Sequence, residues 1–336
     1  MTVTAPAPSR ARKAPAKTAP KPPTKTVAKR GGAPEQPDEQ VDVTVVLPCY
    51  NEVGHVEAEI VRIAESLDAS GYTYDLDVYD DCSADGTREL LAKLAESGRF
   101  PRLRYFPRAR NGGSGTIRRI GSQQARGTYV VWTDADMTYP NERIPELVRM
   151  LDDDPSFDQV VGARTSEEGT YKLLRVPAKW AIRKVAEALT DTKIPDLNSG
   201  LRAFRRDVAR PYLPLLPPGF SCVTTLTVSF LSNAHEVKYV PIDYAKRAGR
   251  SKFHFTKDAY RYVLQVLRMV MYFNPLKVLM PVALWILGLG VAKIVYDLVV
   301  HPFRLTGVTV LTVVMGLQIA ALALIGDLIV RSRSSG

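Results

Sequence analysis

Residues 278–292 carry no charge, and the apolar run continues to about residue 300 with only Lys293 and Asp297 near its end. Residues 305–325 are also uncharged. Each run is long enough to cross a bilayer core as a helix, which takes about 20 apolar residues. Only His301-Pro302-Phe303-Arg304 separates them, so they predict a hairpin with both ends on one side. Lys252, Lys257, Arg261, Arg268 and Lys277 precede the hairpin, Arg331 and Arg333 follow it, and Arg304 alone sits in its loop. This asymmetry predicts that the bulk of the chain lies at the cytoplasmic face. The competing reading, a buried helical hairpin in a soluble core, suits two adjacent spans of this length less well.

At the other end, residues 1–40 hold eight Lys/Arg, three Asp/Glu and eight of the 24 prolines. Such a segment cannot bury enough apolar surface to offset chain entropy, and it predicts a disordered, basic tail. Its composition is that of a solubilising tail, with an anionic surface as the other option; it has no signal-peptide pattern, and no nucleic-acid partner is inferred. Cys49, Cys82 and Cys222 have neither CxxC spacing nor histidine neighbours, so neither a disulfide framework nor a zinc site is indicated.

Between these ends, short β-branched runs alternate with helical periodicity. Strands are expected over residues 43–47, 75–79, 103–106, 128–133 and 159–161. Helices are expected over 53–67, after 83–85, and over 112–124. This alternation predicts an α/β fold with a mostly parallel sheet flanked by helices, whose ligands bind at the carboxyl ends of the strands. Those ends carry Pro48 to Glu52, Asp80-Asp81, Arg108 to Gly115, and Asp134-Ala135-Asp136. The expected division is a tail over 1–40, an α/β domain over 41–256, an amphipathic juxtamembrane helix over 257–274, and transmembrane helices over 275–300 and 305–330.

Two carboxylates at i and i+2 on a strand end can hold a divalent cation together with a diphosphate, because Mg²⁺ takes few protein carboxylates plus phosphate oxygens. Capping of the next helix is the rival reading. Asp80-Asp81 can accept hydrogen bonds from a ribose or base, or close a turn. Asn111-Gly112-Gly113-Ser114-Gly115 opens a helix and could approach an anion, yet it is neither GxGxxG nor a P-loop. Asp196 is a base, an orienter or a cap. No Ser-His-Asp or Cys-His arrangement is evident among four scattered histidines.

Taken in order, Pro48-Cys49-Tyr50-Asn51-Glu52, Asp80-Asp81-Cys82-Ser83-Ala84-Asp85-Gly86-Thr87 and Asp134-Ala135-Asp136 resemble the family 2 glycosyltransferases of the GT-A fold. With 196–206 and 247–252 added, the chain resembles the polyprenyl-phosphate sugar synthases, the dolichol-phosphate mannose synthase group. The resemblance implies that Pro48, Tyr50 and Glu52 line a nucleotide pocket and that Asp81 meets the base or ribose. It places Mg²⁺ or Mn²⁺ and the donor diphosphate on Asp134 and Asp136, with Arg247 and Lys252 closing on the diphosphate. Arg164 and Arg175 stand where an acceptor phosphate is held, and Asp196 and Asp136 where catalytic aspartates are expected. The implied reaction is an inverting transfer of a hexose from a GDP- or UDP-linked sugar to polyprenyl phosphate, by a multi-pass protein of the cell membrane. Cys82 departs from the usual Asn or Gly, and Thr138 is shorter than the Gln sometimes found there. Trp132, Trp180 and Trp285 lack the QxxRW context of processive synthases, which argues for one transfer per turnover. Transfer to a sugar hydroxyl, a non-catalytic nucleotide-sugar binder and a nicotinamide-dependent enzyme are the alternatives; the last lacks its glycine fingerprint. A homo-oligomer stays open.

Overall fold

The computed structural model describes residues 40–165, 183–184, 186–187, 190–219, 221–245, 271–272, 274–300 and 304–334. The tail over 1–39, Arg175, Arg247, Lys252 and most of the expected 257–274 helix lie outside the described residues.

Seven strands form one sheet in the order β3-β2-β1-β4-β6-β5-β7. They are β1 (Val43–Cys49), β2 (Tyr74–Asp80), β3 (Leu103–Pro107), β4 (Tyr129–Trp132), β5 (Phe157–Arg164), β6 (Arg202–Arg205) and β7 (Glu236–Ile242). β1 pairs in parallel with β2 and β4, and β2 with β3. β6 is antiparallel to both β4 and β5, and β5 is parallel to β7. The mostly parallel sheet is therefore as expected, with β6 as the one reversed strand among the described residues.

The strands read as continuous apolar runs because both faces are covered. On one face Val43, Val45 and Leu47 pack with Val56, Ile60, Ile63 and Leu67 of α1 (Val56–Asp68), and with Ile144, Leu147 and Leu151 of α4 (Ile144–Asp153). That face also takes Leu91 and Leu94 of α2 (Thr87–Glu96). On the other, Val46, Val130 and Trp132 pack with Ile117 of α3 (Ser114–Gln124) and with Leu226 and Phe230. A short α5 (Arg206–Ala209) precedes α6 (Cys222–Ser232), which carries those last two residues.

β6 and β7 were not expected. β6 is four residues, RAFR, with an arginine at each end, so its two buried apolar residues, Ala203 and Phe204, are too few to register as a pattern. β7 is a partly exposed edge strand, the position where Pro241 is tolerated.

β2 buries charge. Asp75 and Asp77 are fully buried; Arg126 bonds Asp75 at 2.7 and 2.8 Å, and Arg104 bonds Asp77 at 2.6 and 2.7 Å. Burial pushes the Asp77 carboxyl up to about 6, although Arg104 pulls the other way.

Among the described residues, two helices beyond the sheet are long and apolar enough to cross a membrane, α7 (Pro275–Val300) and α8 (Gly307–Ser334). Near the end of α7 Asp297, fully buried, accepts bonds from Lys293, from the Thr306 amide and hydroxyl at 2.9 Å each, and from Thr309 Oγ1 at 2.5 Å. Asp297 thus ties the end of α7 to the Thr306 amide just before α8 and to the Thr306 and Thr309 hydroxyls.

Removing one member of a buried ion pair strands the other, at a cost of about 3 kcal/mol or more. Arg104→Leu is expected to lower stability by about 3 kcal/mol in urea unfolding of the solubilised protein. An unchanged midpoint would show that Asp77 finds another partner or is neutral.

Candidate active site

All strands but β6 point the same way, so their carboxyl ends share one edge of the sheet, and the segment entering β6 joins them there. The loops after β1 and β2 are laced together. The Asn51 amide donates to Ser83 Oγ at 2.9 Å, the Ala84 amide to Asn51 Oδ1 at 2.9 Å, and the Glu52 amide to Thr87 Oγ1 at 2.9 Å. Asn51 (φ 52°) and Cys82 (φ 68°) hold left-handed conformations at these crossings. Pro48 and Glu52 are half-buried beside them and Tyr50 is exposed.

Asp80 and Asp81 diverge. Asp80 is fully buried and bonds Arg88 Nε at 2.8 Å. Asp81 accepts the Gly112 amide at 2.9 Å, the Gly113 amide at 2.7 Å and Arg108 Nη1 at 3.0 Å. The glycine segment therefore turns its first amides onto Asp81. Gly113 has φ 81°, and a Cβ at Gly115 would sit 2.1 Å from the Pro217 carbonyl oxygen, so glycine is required at both.

Asp134 and Asp136 follow β4. Asp134 is one-third exposed and its Oδ1 takes Arg118 Nη2 at 2.7 Å. Arg118, on α3, is buried, lies 5.6 Å over the Trp132 ring and also reaches Cys222 Sγ. Burial opposes its charge, but Asp134, Cys222 and Tyr139 together outweigh burial and hold the guanidinium firmly protonated. Asp136 is nearly buried, its Oδ1 accepting Thr138 Oγ1 at 2.5 Å. Beneath this turn Glu59, fully buried on α1, accepts Asn141 Nδ2 at 2.6 Å, and Asn141 Oδ1 takes the Thr133 hydroxyl.

Asp196 and Arg164 meet directly. Arg164 Nε and Nη2 bond the two carboxylate oxygens at 2.7 and 2.9 Å, and the Arg164 amide at 3.2 Å and the Asn198 amide at 2.9 Å donate to them as well. Burial would raise the Asp196 carboxyl, but Arg164 prevails and holds it below the usual carboxylate range. The Arg164 guanidinium lies 5.3 Å over the Tyr244 ring, which itself meets the Tyr139 ring edge-on at 5.1 Å. Next in the chain, the Gly200 amide donates to Tyr139 Oη at 2.7 Å. Arg202, fully buried, bonds the Ser199 carbonyl at 2.5 Å and the Val223 carbonyl at 2.8 Å. Burial and the charge of Arg118 push Arg202 down to about 10.

The structure thus gathers Asp81, Asp134, Asp136, Arg164 and Asp196 at one edge. Sequence reasoning missed Arg118, Glu59, Asn141 and Tyr139, which carry no motif of their own, and it read Arg202 only as part of the 196–206 segment, with no role assigned to it.

Burial pushes the Glu59 carboxyl from 4.5 up to about 7, against the pull of Arg62 and of the Asn141 bond. The folded protein then holds this proton more tightly than the unfolded chain. Glu59 contributes its full stability below about pH 4.5, and that contribution is lost as pH rises through about 7. Glu59→Gln keeps an acceptor for Asn141 and is expected to flatten the decline of unfolding temperature between about pH 5 and 8. An unaltered decline in the variant would assign it to other groups.

Comparison with known proteins bears on the family and the fold. The family model described as Glycosyl transferase family 2 matches residues 44–213, and one described as GtrB C-terminal hairpin matches residues 274–332. Undecaprenyl-phosphate 4-deoxy-4-formamido-L-arabinose transferases of Salmonella paratyphi B and Salmonella newport are each 27% identical over 219 residues, 64% of this chain. The chain spans 63% of the length of those curated relatives. Glucosyl-3-phosphoglycerate synthase from Mycobacterium tuberculosis, in complex with phosphoglyceric acid, aligns with a TM-score of 0.54 at 18% identity, covering 68% of this chain and 80% of that one. The same protein in complex with Mn²⁺, uridine diphosphate and glucosyl-3-phosphoglycerate gives 0.53 at 19% identity, with the same coverage. That likeness speaks to fold, which is GT-A. With the first family model spanning half the sequence and its strand-end motifs gathered at one sheet edge, the chain belongs to glycosyl transferase family 2.

Proposed function

We propose that this chain moves a hexose from a GDP- or UDP-linked sugar to polyprenyl phosphate, with inversion, at the cytoplasmic face of a membrane that its hairpin enters. One observation carries the reading: the Asp134/Asp136 pair and the Arg164–Asp196 pair lie on the same edge of the sheet, in a chain that ends in two apolar helices. The names of the curated relatives support the acceptor, and the hairpin match supports the anchoring.

The donor set fits a divalent cation shared with a diphosphate. Two carboxylates, one partly exposed, leave most coordination positions to phosphate oxygens, as Mg²⁺ and Mn²⁺ prefer. No group of three His, Cys, Asp or Glu suited to a metal occurs among the described residues, so the ion would depend on the diphosphate. When bound, it supplies charge neutralisation for the leaving group. Pro48, Tyr50 and Glu52 would border the nucleotide, with Asp81 contacting the base or ribose or ordering the Arg108–Gly113 segment that does. Arg175, Arg247 and Lys252 keep the roles the resemblance implies.

In the transfer, an acceptor phosphate oxygen forms a bond to the anomeric carbon as the bond to the diphosphate oxygen breaks. A phosphate monoester is largely ionised at neutral pH, its second pKa being about 6, so little proton removal is needed. This suits Asp196 as the orienter of Arg164 better than as a base, since its carboxyl is held below the usual range. Arg164 would meet the acceptor phosphate through its planar, bidentate fork.

The test is incubation of detergent-purified protein with polyprenyl phosphate, Mg²⁺ or Mn²⁺, and a panel of UDP- and GDP-hexoses, with mass spectrometry of the lipid. A prenyl-phosphate hexose from one donor, abolished by chelator, is expected. Asp136→Ala is expected to reduce turnover by roughly 100-fold or more, and Asp196→Asn to reduce it less. Transfer to a sugar hydroxyl, with none to the lipid phosphate, would overturn the acceptor assignment.

A further inference from the structure

We propose that Gly200 is a positioning residue for Asp134, and that the 196–200 turn holds the Asp134 carboxylate and the Asp196–Arg164 pair in one fixed relation. The proposal rests on the reading of Asp134 as a donor-side ligand. It is carried by a close approach. A Cβ built on Gly200 would lie 2.7 Å from Asp134 Oδ2, 3.0 Å from Arg118 Nη2 and 3.2 Å from Tyr139 Cε2. Gly200 is not among the residues with positive φ, so its backbone admits alanine and only space excludes it.

The turn cannot easily retreat from that contact. Its amide is bonded to Tyr139 Oη at 2.7 Å, and the preceding Ser199 carbonyl to Arg202 Nη2 at 2.5 Å. Tyr139 and Arg202 are both buried. Two residues earlier, Asn198 bonds Asp196 through its amide and Thr224 Oγ1 through its side chain, each at 2.9 Å. Arg118 is equally fixed, against Trp132 and Cys222. Of the atoms a methyl group would meet, the Asp134 carboxylate is the one at the end of a short, partly exposed side chain. The added carbon therefore moves that carboxylate by several tenths of an ångström and leaves the fold in place.

Gly200 thus brings backbone against one carboxylate while Asp196, four residues earlier, faces Arg164. The two halves of the site share a rigid spacer. Misplacement of a ligand group by about 1 Å can reduce function by roughly 100-fold, so a smaller shift is expected to cost about tenfold.

The experiment titrates UDP and GDP into detergent-solubilised wild type, Gly200→Ala and Tyr139→Phe, each with Mn²⁺ and with chelator, and follows Mn²⁺ by paramagnetic resonance. Thermal unfolding is recorded for each. Gly200→Ala is expected to weaken Mn²⁺-dependent nucleotide binding about tenfold, with metal-free binding and unfolding temperature little changed. Tyr139→Phe frees the Gly200 amide and is expected to give a smaller loss of the same kind. If wild type binds Mn²⁺–nucleotide and Gly200→Ala binds it equally well, the positioning role is wrong and the proposed function stands. If Gly200→Ala does not fold, an unchanged Mn²⁺ dependence in Tyr139→Phe overturns it instead. Wild type without metal-dependent nucleotide binding would remove the proposed function, and this inference with it.

Discussion

A single strand runs against its neighbours, and the arrangement of the site follows from it. β6 lies between β4 and β5 and antiparallel to both. Its beginning therefore lies where the other strands end. Had it run in parallel, the residues before it would have opened at the opposite edge of the sheet, far from Asp134. Reversal delivers Asp196, Asn198 and Gly200 to the carboxylates that follow β4 and to Arg164 at the end of β5.

The same reversal places Arg202, first residue of β6, close to Arg118. The two guanidinium carbons lie 6.0 and 5.6 Å from the Trp132 ring. Arg118 faces Asp134, whereas the bonds given to Arg202 go to carbonyls and a hydroxyl. Its lowered pKa reflects that burial and the neighbouring positive charge. Two buried cations behind two aspartates leave the edge less negative than its carboxylates alone would make it. Such a field favours an anionic ligand with few countercharges of its own.

Much of this was legible in the chain. β1 to β4 were readable from apolar runs that stop at polar residues, and the structure extends β1 only to Cys49 and β2 to Asp80. α7 spans the 275–300 segment read from its uncharged stretch at 278–292, and the second helix begins at Gly307 rather than at 305. What stayed hidden was partnership. Arg164 and Asp196 were read as separate groups, one for a phosphate and one for chemistry, but they are 32 residues apart in sequence and bonded to each other. The Asn111–Gly115 segment looked suited to an anion; its amides reach Asp81, an anion the protein itself supplies. Glu59 and Asn141 are 82 residues apart and form one bond beneath the carboxylate turn. Local sequence records which groups a turn exposes, whereas long-range pairing depends on a register that only the folded sheet sets.

The base of the hairpin meets a small apolar cluster, separate from the two that cover the sheet. Val278, in the first turn of α7, packs on the cluster of Ala186, Ile194, Leu197 and Val228. Lys277 bonds Asp191 at 2.5 Å beside it. Leu197 follows Asp196 directly, so the turn that faces Arg164 and the root of the apolar helices share one packed unit. Tilt or vertical displacement of α7 would thus reach Asp196 through a single layer of side chains.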